Sequence, residues 1–210
     1  MKNKDLKRRI IDISYKHRLS HLGGVVTAVD IIDEIYKVKK PDEKFVLSSG
    51  HVALALYVVI EKYGGRNAEE IYKHHGTHPD RCDACGLSCS TGSLGHGLPI
   101  SVGMALADRS KNVYCLISDG ECAEGSIWEA LRIADERSLE NLHIYVNMNG
   151  HAAYDLVNTD RLTKKLNQWY PLGMNIYITH KYEFPFLDGV ESHYKIMNAH
   201  EYKQALEVLK

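Results

Sequence analysis

The chain has 210 residues, of which 44% are hydrophobic and 25% charged, the makeup of one ordinary globular domain with a substantial core, and this excludes disorder. Lys and Arg total 26 against 27 Asp and Glu, so no excess of positive charge is available for a nucleic-acid backbone or an anionic membrane surface. A small-molecule ligand is the expectation. The charged amino terminus carries no apolar leader, and no run of 18 or more apolar residues follows, so a cytoplasmic protein is expected. Five cysteines is an odd number, which favours thiols over a disulfide framework, and twelve histidines is a large count for this length.

In chain order, Leu6, Ile10, Ile13 and Tyr15 give near-helical spacing over 4–17, and Ile31, Ile32 and Ile35 do so over 27–37. Between them Ser20-His21-Leu22-Gly23-Gly24 is expected to break the helix and let backbone come close to something, which makes it a candidate binding loop. Residues 45–47 predict a short buried strand, after which Ser48-Ser49-Gly50-His51 opens an apolar helix to about Tyr63. From 74 to 97 the chain turns to Gly, His, Cys, Ser and Thr without periodicity, and so long an irregular stretch in a compact domain is usually functional.

Helix returns over 99–109. A buried strand at 113–117, a helix at 127–137 and a strand at 142–146 then make a βαβ unit. A helix at 162–169, a strand at 175–179 and a closing helix at 201–209 complete an α/β pattern, which predicts a mostly parallel sheet flanked by helices. No interdomain linker is visible, so residues 1–210 are expected to be a single domain.

The first strand of the βαβ unit ends in Ser118-Asp119-Gly120 and the second in Asn147-Met148-Asn149-Gly150. Ligands of open α/β sheets sit at the carboxyl ends of strands, so Asp119 and Asn149 are expected to meet at one edge. Both offer oxygen, which suits Mg²⁺ (or Ca²⁺) sharing its shell with phosphate oxygens. Gly120 removes a side chain where a diphosphate must approach, and the following helix turns its amino end toward the anion.

This pattern resembles the thiamine-diphosphate fingerprint, a Gly-Asp-Gly followed by an Asn-containing strand end, with Ser118 in place of the first glycine. Glu121-Cys122-Ala123-Glu124-Gly125 and Trp128-Glu129-Ala130 resemble the transketolase form of that motif. Upstream and in the same order, Ser20-His21 with Gly23 resembles the family's Ser-Gly-His-Pro-Gly loop. The run from Leu47 to His51 resembles Leu-Ser-x-Gly-His, and Thr77-His78-Pro79-Asp80 resembles Gly-His-Pro-Glu. Thr91-Gly92-Ser93-Leu94-Gly95-His96-Gly97 is similar to Thr-Gly-Pro-Leu-Gly-Gln-Gly, with Ser93 replacing a proline and His96 a glutamine.

The resemblance implies a thiamine-diphosphate-binding fold of the diphosphate-domain kind, shortened near 172–180. It assigns Asp119, Asn149 and the backbone carbonyl of His151 as ligands of Mg²⁺ (or Ca²⁺). Gly120, Glu121 and His51 would contact the diphosphate of thiamine diphosphate, and Gly92, Ser93 and Leu94 would run along the cofactor. His21, His78 and His193 would line a substrate channel, and Glu124 would link cofactor sites across a dimer. His74, His75 and the His151 side chain are read as ordinary surface or core histidines. Cys82-Asp83-Ala84-Cys85 with Cys89 does not show two clean ligand pairs, so free thiols rather than zinc are expected.

In the family a glutamate of the pyrimidine-binding domain activates the cofactor. These 210 residues are not expected to contain that domain, and Glu191 and Glu207 have no claim to the role. The implied protein is the amino-terminal subunit of a split transketolase-like transferase, moving a two-carbon ketol or acyl unit between sugar substrates. It would work with a separate pyrimidine-domain subunit, two copies of each chain. An α-like subunit of a 2-oxoacid decarboxylating enzyme is the alternative, and a noncatalytic cofactor-binding homologue is another. Histidine-rich loops favour sugar chemistry, because hydroxylated substrates need many polar contacts.

Overall fold

The structure, a computed structural model of the chain, describes residues 1–152, 155–179, 183–187, 189 and 193–210. Four parallel strands, β1 (Lys44–Leu47), β2 (Val113–Ser118), β3 (Leu142–Met148) and β4 (Asn175–Ile178), lie side by side in that order. Every connection between neighbours is a crossover, so each places helices on a face of the sheet. Alternation along the strands divides the core in two. Phe45, Leu47, Tyr114 and Leu116 face one cluster, built with α1 (Lys4–His17), α2 (Leu22–Val38), α3 (Ala53–Lys62) and α8 (Ala199–Val208). Val46, Val113, Cys115, Ile117, Ile144 and Val146 face the other, built with α5 (Gly97–Ala107), α6 (Gly125–Glu136) and α7 (Thr159–Trp169). The result is the expected α/β fold, a parallel sheet between two helical layers. No helix among the described residues is long and apolar enough to cross a membrane.

Two elements differ from the sequence reading. The glycine pair does not break the chain: α2 begins at Leu22 and carries Gly23 and Gly24 in its first turn. A helical glycine costs about 1 kcal/mol relative to alanine, and burial of Leu22, Val25 and Val26 outweighs it. The close approach is real, however, since a Cβ on Gly24 would lie 2.8 Å from Val52 Cγ1. The second difference is a further helix, α4 (Ala68–His75), which periodicity misses because only Ala68 and Ile71 are buried in it. Asn67 starts it by accepting the amides of Glu69 and Glu70. Of the stretch 172–180, residues 172–179 are described and carry β4; Glu191 lies outside the described residues.

Candidate active site

The carboxyl ends of β2 and β3 come together because Ser118 pairs in register with Asn147. One residue on, Asp119 is almost wholly buried, and its two oxygens accept the amides of Gly120 at 2.9 Å and Gly150 at 2.6 Å. Burial nonetheless pushes its carboxyl up to about 6, against the pull of those amides. Asn149 accepts the amide of His151 at 3.0 Å through Oδ1, leaving lone-pair capacity on that oxygen. Asn147 gives its Nδ2 to Thr27 Oγ1 at 2.9 Å, and its Oδ1 is buried with no hydrogen-bond partner among the described residues. A Cβ on Gly120 would stand 3.4 Å from Ala152 Cα and 3.9 Å from the His151 carbonyl oxygen, so the bare glycine keeps this corner open. Buried oxygens with spare acceptor capacity beside an open backbone suit a hard cation better than an apolar ligand.

Facing this strand-end wall is a cluster of histidines. The rings of His21, His51 and His193 lie 4.7 to 5.7 Å apart, centre to centre, with Tyr194 edge-on to His21 at 5.4 Å. His21 caps the start of α2 in the left-handed region, φ 62°, which is costly for a residue with a Cβ. It is held there by its amide, which donates to the His193 carbonyl at 2.9 Å, and by a contact of 2.8 Å between its Nδ1 and Ser20 Oγ. Burial, then the neighbouring rings of His193 and His78, bring His21 down to about 4. Burial, then His21, His193 and His78, bring His51 down to about 3, and burial also lowers His193. The wall therefore presents uncharged imidazoles at neutral pH.

The glycine-rich segment closes the third side. A Cβ on Gly92 would meet the His78 ring at 3.2 Å, and one on Gly50 would clash with the Thr91 carbonyl oxygen, so both glycines permit loops to touch. Glu121 lies behind this contact rather than in the pocket. It is fully buried, and its carboxylate accepts from Ser48 Oγ at 2.6 Å, the Gly95 amide at 2.9 Å and the Ser118 amide at 3.0 Å. One side chain thus ties the ends of β1 and β2 to the glycine loop.

One pocket brings together His21, His51, His78 and His193 with Gly92, Leu94, Asp119, Gly120, Asn149 and His151. Ser93 is exposed and Glu121 braced, and neither lines it; Glu124 is exposed beside Gly95, also outside. The pocket also contains Asn147, Ser49 and Tyr194, which the sequence reading did not single out. Asn147 was discoverable: residues two apart on a strand share a face, and Asn147 precedes Asn149 by two.

Comparison with known proteins identifies the family of the chain. Residues 37–168 match the family described as "Transketolase, thiamine diphosphate binding domain". An apulose-4-phosphate transketolase subunit of Phocaeicola vulgatus is 34% identical over 68% of this chain and 58% of its own length. The protein of the same description from Actinobacillus succinogenes is 30% identical over 84% of this chain and 72% of its own length. The 6-deoxy-6-sulfo-D-fructose transketolase subunit SqwG of Clostridium sp. (strain MSTE9) is 33% identical, covering 73% of this chain and 61% of that protein. Among solved structures, a transketolase from Pichia stipitis superposes with a TM-score of 0.79 at 20% identity, covering 98% of this chain and 40% of that one. The chain thus spans between about half and three quarters of these curated relatives, and two fifths of the solved transketolase.

Proposed function

Because the chain belongs to the transketolase family, to its thiamine-diphosphate-binding domain, we propose that it holds the diphosphate end of that cofactor in a two-chain, transketolase-like transferase. The observation that carries this is the convergence of Asp119, Asn149 and the unpartnered Asn147 Oδ1 at adjoining parallel strand ends beside the bare backbone of Gly120. Asp119, Asn149 and the His151 carbonyl would hold Mg²⁺ (or Ca²⁺), and the cation would neutralise diphosphate oxygens. His51 and Gly120 would border the diphosphate, while Gly92 and Leu94 line its approach. When bound, thiamine diphosphate supplies the electron sink that makes carbon–carbon cleavage beside a carbonyl accessible.

The chain's own contribution beyond binding lies in the histidine wall. Imidazoles at His21, His78 and His193 can accept a hydrogen bond from one sugar hydroxyl and donate to another, and three in one pocket suit a polyhydroxylated substrate. Burial keeps His21 and His193 uncharged, so they act as bases at neutral pH without first losing a proton. The reaction proposed is transfer of a two-carbon ketol unit between sugars. The relatives described as subunits of a transketolase support a partner chain; the reading adds that this partner carries the pyrimidine-side domain and that a two-fold axis doubles the pair, two copies of each chain. Glu124, exposed beside Gly95, is the residue proposed to face its symmetry mate in such an assembly.

The test is to produce the chain alone and with a candidate partner, measuring mass in solution, Mg²⁺-dependent cofactor binding and ketol transfer. The reading expects transfer only from the assembly. Full transfer by the chain alone would overturn the two-chain reading, and an assembly that binds no thiamine diphosphate would overturn the cofactor assignment.

A further inference from the structure

The segment between His78 and Gly92 makes an excursion from the pocket that nothing in the proposed chemistry uses. Its neck is closed by the Thr91 amide donating to the Pro79 carbonyl at 3.1 Å and the Arg81 amide donating to Ser90 Oγ at 2.9 Å. Its body is a tight knuckle. The Cys82 amide donates to the Leu87 carbonyl at 3.0 Å and the Leu87 amide returns to the Cys82 carbonyl at 2.9 Å, around a single turn at Asp83–Cys85. The Cys85 amide also donates to the Cys82 carbonyl at 3.0 Å. Gly86 takes φ 75°, the left-handed position that lets the chain double back so sharply.

This knuckle turns two cysteines toward the end of α4. The donor atoms of Cys82, Cys85 and His75 all lie within 4.8 Å of one another. The Nε2 of His75 is buried and has no hydrogen-bond partner among the described residues. A buried ring nitrogen without a partner is costly, and one nitrogen of the same ring lies in reach of two sulfurs. Tetrahedral zinc with sulfur at about 2.3 Å and nitrogen at about 2.0 Å puts its donors roughly 3.5–3.8 Å apart, so a small contraction brings these three to bonding distance and leaves a fourth position for water or another ligand. The sequence reading treated three cysteines as lacking two ligand pairs. The fold supplies what spacing hid: His75 comes from a helix that periodicity missed, and Cys89 packs instead against the opposite core cluster.

We propose that His75, Cys82 and Cys85 form a structural Zn²⁺ site, distinct from the strand-end oxygens, that fastens the excursion 79–91 to the carboxyl end of α4. Two thiolates and one imidazole form a soft donor set, which selects Zn²⁺ over the hard cation suited to Asp119 and Asn149. The two thiols release their protons as they bind, so loading consumes no oxidant. The metal's effect on the pocket is indirect: it steadies the segment whose two ends are His78 and Gly92, both pocket-lining.

The test uses the full chain purified without metal-chelating resin, with zinc read by elemental analysis and native mass spectrometry. The site predicts a single zinc per chain in the wild type and in Cys89→Ser, and loss of that zinc in Cys82→Ser, Cys85→Ser and His75→Ala. Replacing zinc by Co²⁺ should give the thiolate-to-cobalt charge-transfer band in wild type and in Cys89→Ser only. If the variants do not fold, the wild type still decides: a thiol-specific mercurial should release its zinc. Folded wild type that carries no zinc and takes none up on titration overturns the proposal. So does zinc that Cys89→Ser removes.

Discussion

The strand-end wall of the pocket takes its shape from the sheet, with Asp119 pinned by the amides of Gly120 and Gly150, whereas the histidine wall hangs on loops. His21 holds a left-handed conformation, and its place is fixed by the His193 carbonyl and by ring contacts among three histidines. The first wall stores its cost as a buried carboxylate, the second as backbone strain and buried imidazoles. A wall built on paired strands suits fixed ligands. A wall built on loops suits a substrate whose hydroxyls must be met from several directions.

The comparison breaks first at Asp119. In Asp119→Ala or Asn149→Ala, Mg²⁺-dependent affinity for thiamine diphosphate should fall beyond the ~100-fold that loss of an outer partner costs a metal site. Calorimetric titration of the assembled protein reads it, with circular dichroism to verify folding. Affinity unchanged in both variants removes the strand ends from the cofactor site.

Glu121 comes next, because it separates bracing from binding within one motif. Glu121→Ala strands Ser48 Oγ and the amides of Gly95 and Ser118 in a buried place, at a cost of about 3 kcal/mol. Urea unfolding of the metal-free chain measures it. Wild-type stability with weakened cofactor affinity would instead return Glu121 to the ligand contacts the family resemblance assigned it.

Sequence showed these two walls unequally. The strand ends were legible because a buried apolar run followed by Asp119-Gly120, and another by Asn149-Gly150, predicts strands, their parallel pairing and the edge where they meet. That Glu121 turns inward while Asp119 faces the pocket was not, since the direction of a side chain in the turn at Gly120–Ala123 depends on Ser48 and Gly95, far away in the chain. The histidines could be named through motif resemblance, but their mutual contacts depend on loops with no period to read. Likewise α4, which brings His75 to Cys82 and Cys85, has too few apolar residues to announce itself.

A smaller effect sharpens the division of labour. His21→Ala and His193→Ala should each lower turnover in the assembly by about 100-fold, a typical loss for a proton-transfer group, while cofactor affinity stays within about threefold. Both quantities are to be measured on the same preparations. An affinity that falls as far as the rate would move the histidines to the cofactor's side of the pocket.

The smallest effect sets the two walls against each other through pH. His21 and His51 have ordinary values of 6.5 in the unfolded chain and about 4 and about 3 when folded, so below 6.5 the unfolded chain takes up protons first. Their contribution to stability is complete above 6.5 and is lost as pH falls toward 4 and below. Asp119 runs the other way: its folded value, about 6, lies above the unfolded 3.8, so the folded chain holds that proton more tightly. Its contribution is complete below 3.8 and is lost as pH rises through 6. Between about pH 4 and pH 6 the opposing slopes partly cancel in the metal-free wild type. Asp119→Asn, with no proton to lose, should therefore show a melting temperature that climbs more steeply with pH across this window. His51→Gln should show a flatter climb than wild type. Thermal melts of the three metal-free proteins across the window decide it, and parallel curves would mean that neither wall holds the protonation states its burial imposes.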